Sequence, residues 1–382
     1  MPRSHTYDVI VVGAGPAGSL TGYLLSRYGL NVLIVEKKQL PRYKPCAGGL
    51  TRRARNILPF DVSDVTEDES HTAKISIQNQ TVFVRTEDQP IIVTVSRDKF
   101  DHFLTAKAML AGTRLVDGAA FVSLSGSIGN LNVETSEGTF RTQLLVGADG
   151  VNSRVARRLG WRVPRNAMTA IEGEVYYGNG KTVENLKNSV HFDLGIIPEG
   201  YGWVFPKRDH LSIGLLSTSR KIKHLRSHFS SYMKIKGLDK CAEVRSLRTH
   251  LIPSGPDKRD IFADQKGILV GDAAGFADPI TGEGIFFAVR GAQIASKAIL
   301  EGLTLGHEHI EKYNDLLKKE FVDELTYAKR LRFILYKFPF VSHTILTSRG
   351  SILGQYYLDI VSGRMSYSEL YRRCLPWAAF FR

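Results

Sequence analysis

Tyr7-Asp8-Val9-Ile10-Val11-Val12-Gly13-Ala14-Gly15-Pro16-Ala17-Gly18 decides the fold: a short buried strand runs straight into G-x-G-x-x-G, and Ser19 to Tyr28 continues as a helix that Gly29 stops. Gly13 permits a tight turn, Gly15 lets the backbone approach a pyrophosphate, and Gly18 lets the helix pack closely on the strand. The first amides of the helix are thereby brought to the anion, with Ala17 inside the same turn. Asn31-Val32-Leu33-Ile34-Val35 follows as a second strand and ends in Glu36, where a dinucleotide fold needs an acceptor for ribose hydroxyls. An acid at this place favours an unphosphorylated ribose, hence FAD or NAD over NADP. A glycine triplet alone also fits an ordinary βαβ turn; the strand, turn, helix, strand and acid in register point to a dinucleotide.

The same region mimics an export or membrane signal, because Val9 to Ser26 carries no charge and Arg3 precedes it. Gly13, Gly15, Pro16, Gly18 and Gly22 interrupt the run, so no cleaved signal, no spanning helix and a cytoplasmic location are expected. The 382 residues, at about 150 per domain, predict two packed units. Hydrophobic residues at 43% and charged residues at 23% exclude wholesale disorder, collagen and coiled coil. Lys and Arg number 51 against 38 Asp and Glu, a net +13 that suits nucleic acid, a membrane surface or a phosphorylated substrate. No zinc-finger spacing, RNP motif or recognition helix is present, so no nucleic-acid partner is expected. Cys46, Cys241 and Cys374 are too few and too scattered for a disulfide framework or a zinc site, which predicts a reducing compartment and no metal.

Two later segments separate flavin from nicotinamide. Gln143-Leu144-Leu145-Val146-Gly147-Ala148-Asp149-Gly150 is a buried strand entering an Asp-Gly turn, followed by Ser153-Arg154. Gly267-Ile268-Leu269-Val270-Gly271-Asp272-Ala273-Ala274-Gly275 is another strand, with Asp272 before a run of small residues that reads as a helix start. Together they resemble the second and third flavin fingerprints of the FAD-dependent hydroxylase and reductase superfamily of the p-hydroxybenzoate hydroxylase type. Arg97-Asp98-Lys99-Phe100-Asp101 resembles that superfamily's arginine-bearing helix start, which implies that Arg97 contacts the flavin nucleotide. No second complete glycine fingerprint follows, so no separate nicotinamide domain is expected.

Lys44-Pro45-Cys46-Ala47-Gly48-Gly49-Leu50 and Pro198-Glu199-Gly200-Tyr201-Gly202-Trp203-Val204-Phe205-Pro206-Lys207 resemble the geranylgeranyl reductase family, marked by a K-P-C-glycine segment and by P-x-x-Y-x-W-x-F-P. Ala47 stands where many members have glycine. The resemblance, which covers residues 1 to about 300, implies that Cys46 and Ala47 lie beside the flavin and that Tyr201 and Trp203 line a prenyl pocket. It also implies a reaction: hydrogenation of an isolated alkene, with hydride from reduced flavin and NADPH or ferredoxin as electron donor. Gly275 to Ile285 is similar to the superfamily's D-P-x-x-G-x-G loop, in which Gly282, Gly284 and Ile285 present amides to the pyrimidine edge of the ring. Asp278 and Glu283 read as caps or orienters of that loop.

Independently of the resemblance, alternation puts Tyr201, Trp203 and Phe205 on one face of a strand. That makes an apolar wall suited to a polyisoprenoid chain, or equally the inner face of an ordinary sheet. For Cys46, Lys44, Arg42, Arg52 and Arg53 offer positive charge nearby in sequence, which suits a catalytic or gating thiol; a small buried hydrophobe is the other reading.

The expected fold is α/β: a Rossmann-like FAD-binding domain (1–70, 96–165 and 250–300), interleaved with an antiparallel-sheet substrate domain (71–95 and 166–249) that roofs the flavin, then a helical C-terminal region (301–382). In that region Ala328 to Phe340 mixes basic and aromatic residues, which suits either a solvated face or peripheral contact with an anionic bilayer. Three functions stay open at this stage: prenyl reduction in a lipid, chlorophyll precursor or quinone; flavin monooxygenation or halogenation on the same scaffold; and non-catalytic flavin binding.

Overall fold

A computed structural model describes residues 6–162, 167–177, 186–219, 221–240, 242–337, 352 and 354–378. Cys241 and the end of the basic stretch at 338–340 lie outside the described residues. The chain forms two compact units, each assembled from three segments: Met1–Tyr43, Asp98–Asn166 and Pro253–Thr326, then Lys44–Arg97, Ala167–Ile252 and Tyr327–Arg382. The divisions fall at Tyr43 and Arg97 rather than near 70 and 95, because Gly49–Thr51 and Thr66–Ser70 both pair antiparallel with Ile92–Val95. The C-terminal residues are shared between the units, with the boundary at Thr326.

In the first unit the sheet runs Arg114–Asp117, Val32–Glu36, Thr6–Val12, Gly138–Gly147, Asn130–Thr135, Phe121–Ser127, and Gly267–Leu269 adds to Gly138–Gly147. Thr6–Val12 is buried on both faces from Val9 onward, as its β-branched run requires of a central parallel strand. Its neighbours Val32–Glu36 and Gly138–Gly147 are parallel to it, as are Arg114–Asp117 and Gly267–Leu269 to their partners, so all five strands end on one edge. Gly138–Gly147 serves twice: Thr142 pairs antiparallel with Leu131, and Leu145 pairs parallel with Gly267. Helix Pro16–Arg27 packs against helix Ile285–Leu305. Gly29, at φ +84°, ends the first of these as expected and returns its N–H to Ser26.

The second unit has a sheet in the order Ala242–Pro253, Ala167–Tyr177, His210–Ser217, Gly200–Pro206, Ser189–Leu194, Thr72–Ile77, Gln80–Thr86. Ala167–Tyr177 through Ser189–Leu194 pair antiparallel, whereas Ser189–Leu194 and Thr72–Ile77 pair parallel. The two faces have different cores. Tyr201, Trp203, Phe205, Phe192, Ile75 and Leu216 pack with Leu358 and Val361 on one face. Val204, Ile213, Leu215 and Ile171 pack with Phe229, Tyr232 and Met233 of helix Leu225–Ile235 on the other. Gly202 belongs to that second face, where a Cβ would lie 2.7 Å from the Tyr232 ring.

Candidate active site

Parallel strands carry the three fingerprints to the same edge of the first unit, where ligands of open α/β sheets bind. Gly13 follows Thr6–Val12, Glu36 ends Val32–Glu36, Asp149 follows Gly138–Gly147, and Asp272 follows Gly267–Leu269. Gly13 has φ +109°, and a Cβ there would lie 2.3 Å from the Ala148 carbonyl oxygen; at Gly18 it would lie 1.9 Å from the Gly13 carbonyl oxygen. These two glycines are demanded by the protein itself. Gly15 differs: a Cβ would meet only Arg42 Nη2, at 3.9 Å, so no neighbouring protein atom demands a glycine there and that side of the loop is open. Gly15 caps helix Pro16–Arg27 without any side-chain acceptor, which leaves the helix-start amides to an anion. Ala17 is buried beside Gly271, whose absent Cβ would lie 3.0 Å from the Ala17 methyl.

Glu36 is 4% exposed. Its Oε2 accepts from Ala14 N at 2.8 Å and its Oε1 from Lys38 N at 3.1 Å, while Arg42 Nε stands 3.4 Å away and Arg42 Nη1 donates to Asp101 Oδ2 at 2.9 Å. The Ala14 N–H thus ties the acid to the glycine loop, and Arg42 bridges it to Asp101. Sequence reasoning missed this role, and the sole signal for it was its place shortly after Glu36.

Asp149 turns into its own loop. Its Oδ1 accepts from Ser153 Oγ at 2.6 Å and its Oδ2 from Arg154 N at 2.6 Å, so it caps the short helix Arg154–Arg158 together with Ser153. Asp272 lies in a 3-10 turn, Gly271–Ala274, rather than at an α-helix start. Its Oδ1 is 3.3 Å from where a Gly284 Cβ would be, at the N-terminus of helix Ile285–Leu305. Buried Asp278 accepts from Ile280 N at 2.8 Å and Thr281 N at 3.1 Å, and the Gly282 N–H returns to the Asp278 carbonyl at 2.9 Å. Asp278 is thus a loop organiser, and Gly282, Gly284 and Ile285 form an uncapped helix entry. Arg97 is buried and heads helix Arg97–Leu110. A glycine cradle open only at Gly15, a buried acid beside it and two uncapped helix starts fit FAD.

In the second unit Cys46 and Ala47 meet the aromatic strand. Lys207, 5% exposed, donates from Nζ to the Ala47 and Val95 carbonyls, both at 2.8 Å. Gly48, at φ +69°, leaves room for it, since a Cβ would lie 2.7 Å from Nζ. A Gly49 Cβ would lie 2.7 Å from the Phe205 ring, and Cys46 Sγ accepts from Gly48 N at 3.3 Å. Burial pushes the Lys207 ammonium down to about 8, against the opposing charges of Cys46, Glu172, Glu67 and Glu174. Lys207 is therefore a positive neighbour of Cys46, whereas Arg42 is committed to Glu36 and Asp101, and Arg52 to Glu87 at 2.8 Å. Tyr201, Trp203 and Phe205 share one buried face, joined by Phe192, whose ring centroid is 5.4 Å from Phe205 and 5.1 Å from Tyr357.

A fold of this kind with such a cradle defines a flavin-dinucleotide oxidoreductase, and a family model described as the FAD binding domain matches residues 6–315. Among curated proteins, an uncharacterized protein of Methanosarcina barkeri is 34% identical over 78% of this chain and 76% of its own. A digeranylgeranylglycerophospholipid reductase of Methanococcus vannielii is 29% identical over 87% of each chain. A geranylgeranyl bacteriochlorophyll reductase-like protein of Thermoplasma acidophilum superposes with a TM-score of 0.81 at 24% identity, covering 94% of this chain and 92% of that one. The halogenase PltM, solved with phloroglucinol and FAD, shares the fold at a TM-score of 0.71 and 18% identity, over 86% of this chain and 76% of that one. The chain belongs to the geranylgeranyl reductase family of FAD-dependent oxidoreductases.

Proposed function

We propose that this protein is a prenyl reductase that hydrogenates double bonds of geranylgeranyl groups carried by a lipid, a chlorophyll precursor or a quinone. The buried face of Tyr201, Trp203 and Phe205, extended by Phe192, carries this reading: it is apolar, and its few polar handles make no demand on a chain that offers only alkenes. Gly13, Gly15, Ala17, Gly18, Glu36, Arg97, Asp149, Asp272, Gly282, Gly284 and Ile285 are proposed to hold the cofactor, with Cys46 and Ala47 in the same role. FAD held by these residues and reduced by NADPH or ferredoxin would supply the hydride to one alkene carbon, with a proton added at the other. Cys46, Tyr201 and Trp203 are proposed as the catalytic residues, Cys46 as a catalytic or gating thiol and Tyr201 and Trp203 as the lining of the prenyl pocket.

Among the described residues no helix is long and apolar enough to cross a membrane. A prenyl lipid and the basic, aromatic helix Asp323–Lys337 favour work at an anionic bilayer surface. Halogenase neighbours share the fold, so the deciding experiment must separate the chemistries. Anaerobic incubation with dithionite and a geranylgeranylated lipid should add two hydrogens per reduced double bond. Addition of one oxygen atom, and only in air, would overturn the reading. Trp203→Ala should weaken substrate binding and leave the protein yellow.

A further inference from the structure

The aromatic face passes into polar groups that the reading above leaves unused. Trp203 stands opposite Gly214, and Gly214 opposite Glu172; Phe205 stands opposite Ser212, and Ser212 opposite Glu174. Directly opposed residues share a face of the sheet, so Trp203, Gly214, Glu172 and Ser212 all lie on the side of the wall. Gly214 is the floor of the indole: a Cβ there would lie 2.1 Å from Trp203 Cζ2. The ring thus rests on backbone, and packing on a glycine does not by itself fix its rotation in that plane.

A hydrogen-bond chain does. Trp203 Nε1 donates to Ser212 Oγ at 3.4 Å, and Ser212 Oγ donates to Glu172 Oε1 at 3.1 Å, with Glu172 4% exposed. The polarity of this chain has one solution. An indole nitrogen only donates, so Ser212 turns a lone pair to Trp203 and its proton to Glu172 Oε1. Without the carboxylate the Ser212 hydroxyl loses the acceptor that fixes its rotation, so its lone pair is no longer held on the indole N–H. An orphaned buried donor costs about 1–3 kcal/mol.

We propose that Glu172 is a positioning residue for Trp203: acting through Ser212, its carboxylate fixes the orientation of the indole on which a substrate chain is laid. The anchor stands on the geometry alone; its consequence for catalysis rests on the prenyl reading of the aromatic face.

The test uses the full, flavin-loaded protein with Trp161 and Trp377 replaced by Phe, so that Trp203 is the remaining indole of the three. Time-resolved fluorescence anisotropy then reports its motion without substrate. Glu172→Leu and Ser212→Ala should mobilise the ring, and Glu172→Gln, which keeps an acceptor for Ser212, should restore the parent signal. Under the prenyl reading, the KM for a geranylgeranylated lipid should rise about tenfold in the two disrupting variants, equivalent to ~1.4 kcal/mol, with kcat within about twofold. Ser212→Ala removes one oxygen atom and keeps the test decisive if Glu172→Leu does not fold. Unchanged anisotropy in Ser212→Ala would overturn the anchor, as would a Glu172→Gln protein as mobile as Glu172→Leu. A mobilised ring with an unchanged KM would support the anchor and count against the aromatic face as the prenyl surface.

Discussion

Lys207 Nζ donates to the Ala47 carbonyl oxygen at 2.8 Å, so the ammonium that follows the aromatic strand is bonded directly to the cysteine-bearing loop. The same nitrogen holds Val95 O, and one buried cation thus joins two segments of the second unit. Lys207→Met keeps the stem and removes the donors, leaving two carbonyls unsatisfied. Measured near pH 10.5, where the cost of burying the charge has gone, that should destabilise the unit by ~1–3 kcal/mol, read as a lower urea midpoint. Because burial lowers this pKa from 10.5 to about 8, the folded protein releases the proton before the unfolded chain does. The cost of burying the charge is fully present below pH 8 and disappears as pH rises toward 10.5, so this group makes stability climb across that window. The climb should be absent from the Met variant.

Gly15→Ala separates ligand from fold. Its new methyl group meets no protein atom closer than Arg42 Nη2 at 3.9 Å, so the melting temperature of the apoprotein should be unchanged. FAD affinity should fall by on the order of tenfold or more, ~1.4 kcal/mol, measured by flavin fluorescence titration. Gly18→Ala, whose methyl would lie 1.9 Å from the Gly13 carbonyl oxygen, should lower both.

Glu87 ties down the segment that packs on the aromatic wall. Arg364 Nη2 reaches it at 3.0 Å and Arg52 Nη2 at 2.8 Å, while Arg364 Nε holds Asp359 at 2.9 Å. Burial pushes the Glu87 carboxyl up, and the hydrogen bonds and charges of Arg364 and Arg52 outweigh it, leaving a net shift below the usual range. The stabilisation is therefore present above the ordinary carboxylate pKa and lost as pH falls through the lowered one. Hydrogen-exchange protection across 354–361, taken relative to the intrinsic rate at each pH, should fall on acidification, and Glu87→Gln should show the lower protection already at neutral pH, a loss of about 1 kcal/mol.

If a bilayer surface attracts the net charge of +13, activity on anionic liposomes should fall as salt is added. A detergent-dispersed substrate should show no such fall. Equal salt sensitivity in both would remove the surface from the account.

Much of the glycine turn was legible because part of it is a local steric matter: Gly18 is dictated by the Gly13 carbonyl within one strand-turn-helix, whereas the carbonyl that dictates Gly13 is that of Ala148, brought in by a distant strand. The alternation of Tyr201, Trp203 and Phe205 likewise fixed their shared face without reference to other strands. What stayed hidden depends on pairing across distant segments. Lys207 reads as an ordinary surface lysine after a Pro until Ala47 and Val95 arrive beside it. Glu172 looks like an exposed strand residue until Ser212 and Trp203 stand in register with it. The unit boundary at Tyr43 was equally unreadable, because it follows from the pairing of Gly49–Thr51 with Ile92–Val95.

The strand Thr6–Val12 is completed at its flank by Gly138–Gly147, which in turn waits for Gly267–Leu269. On a ribosome moving at ~5–20 residues per second, the N-terminal apolar strand is therefore made roughly 10–50 s before the last member of its sheet emerges. During that interval an unprotected strand edge is offered to any other chain. Production of this protein should depend more on chaperone supply and translation speed than its finished stability would indicate, and a version cut before Gly267 should aggregate rather than fold as a smaller domain.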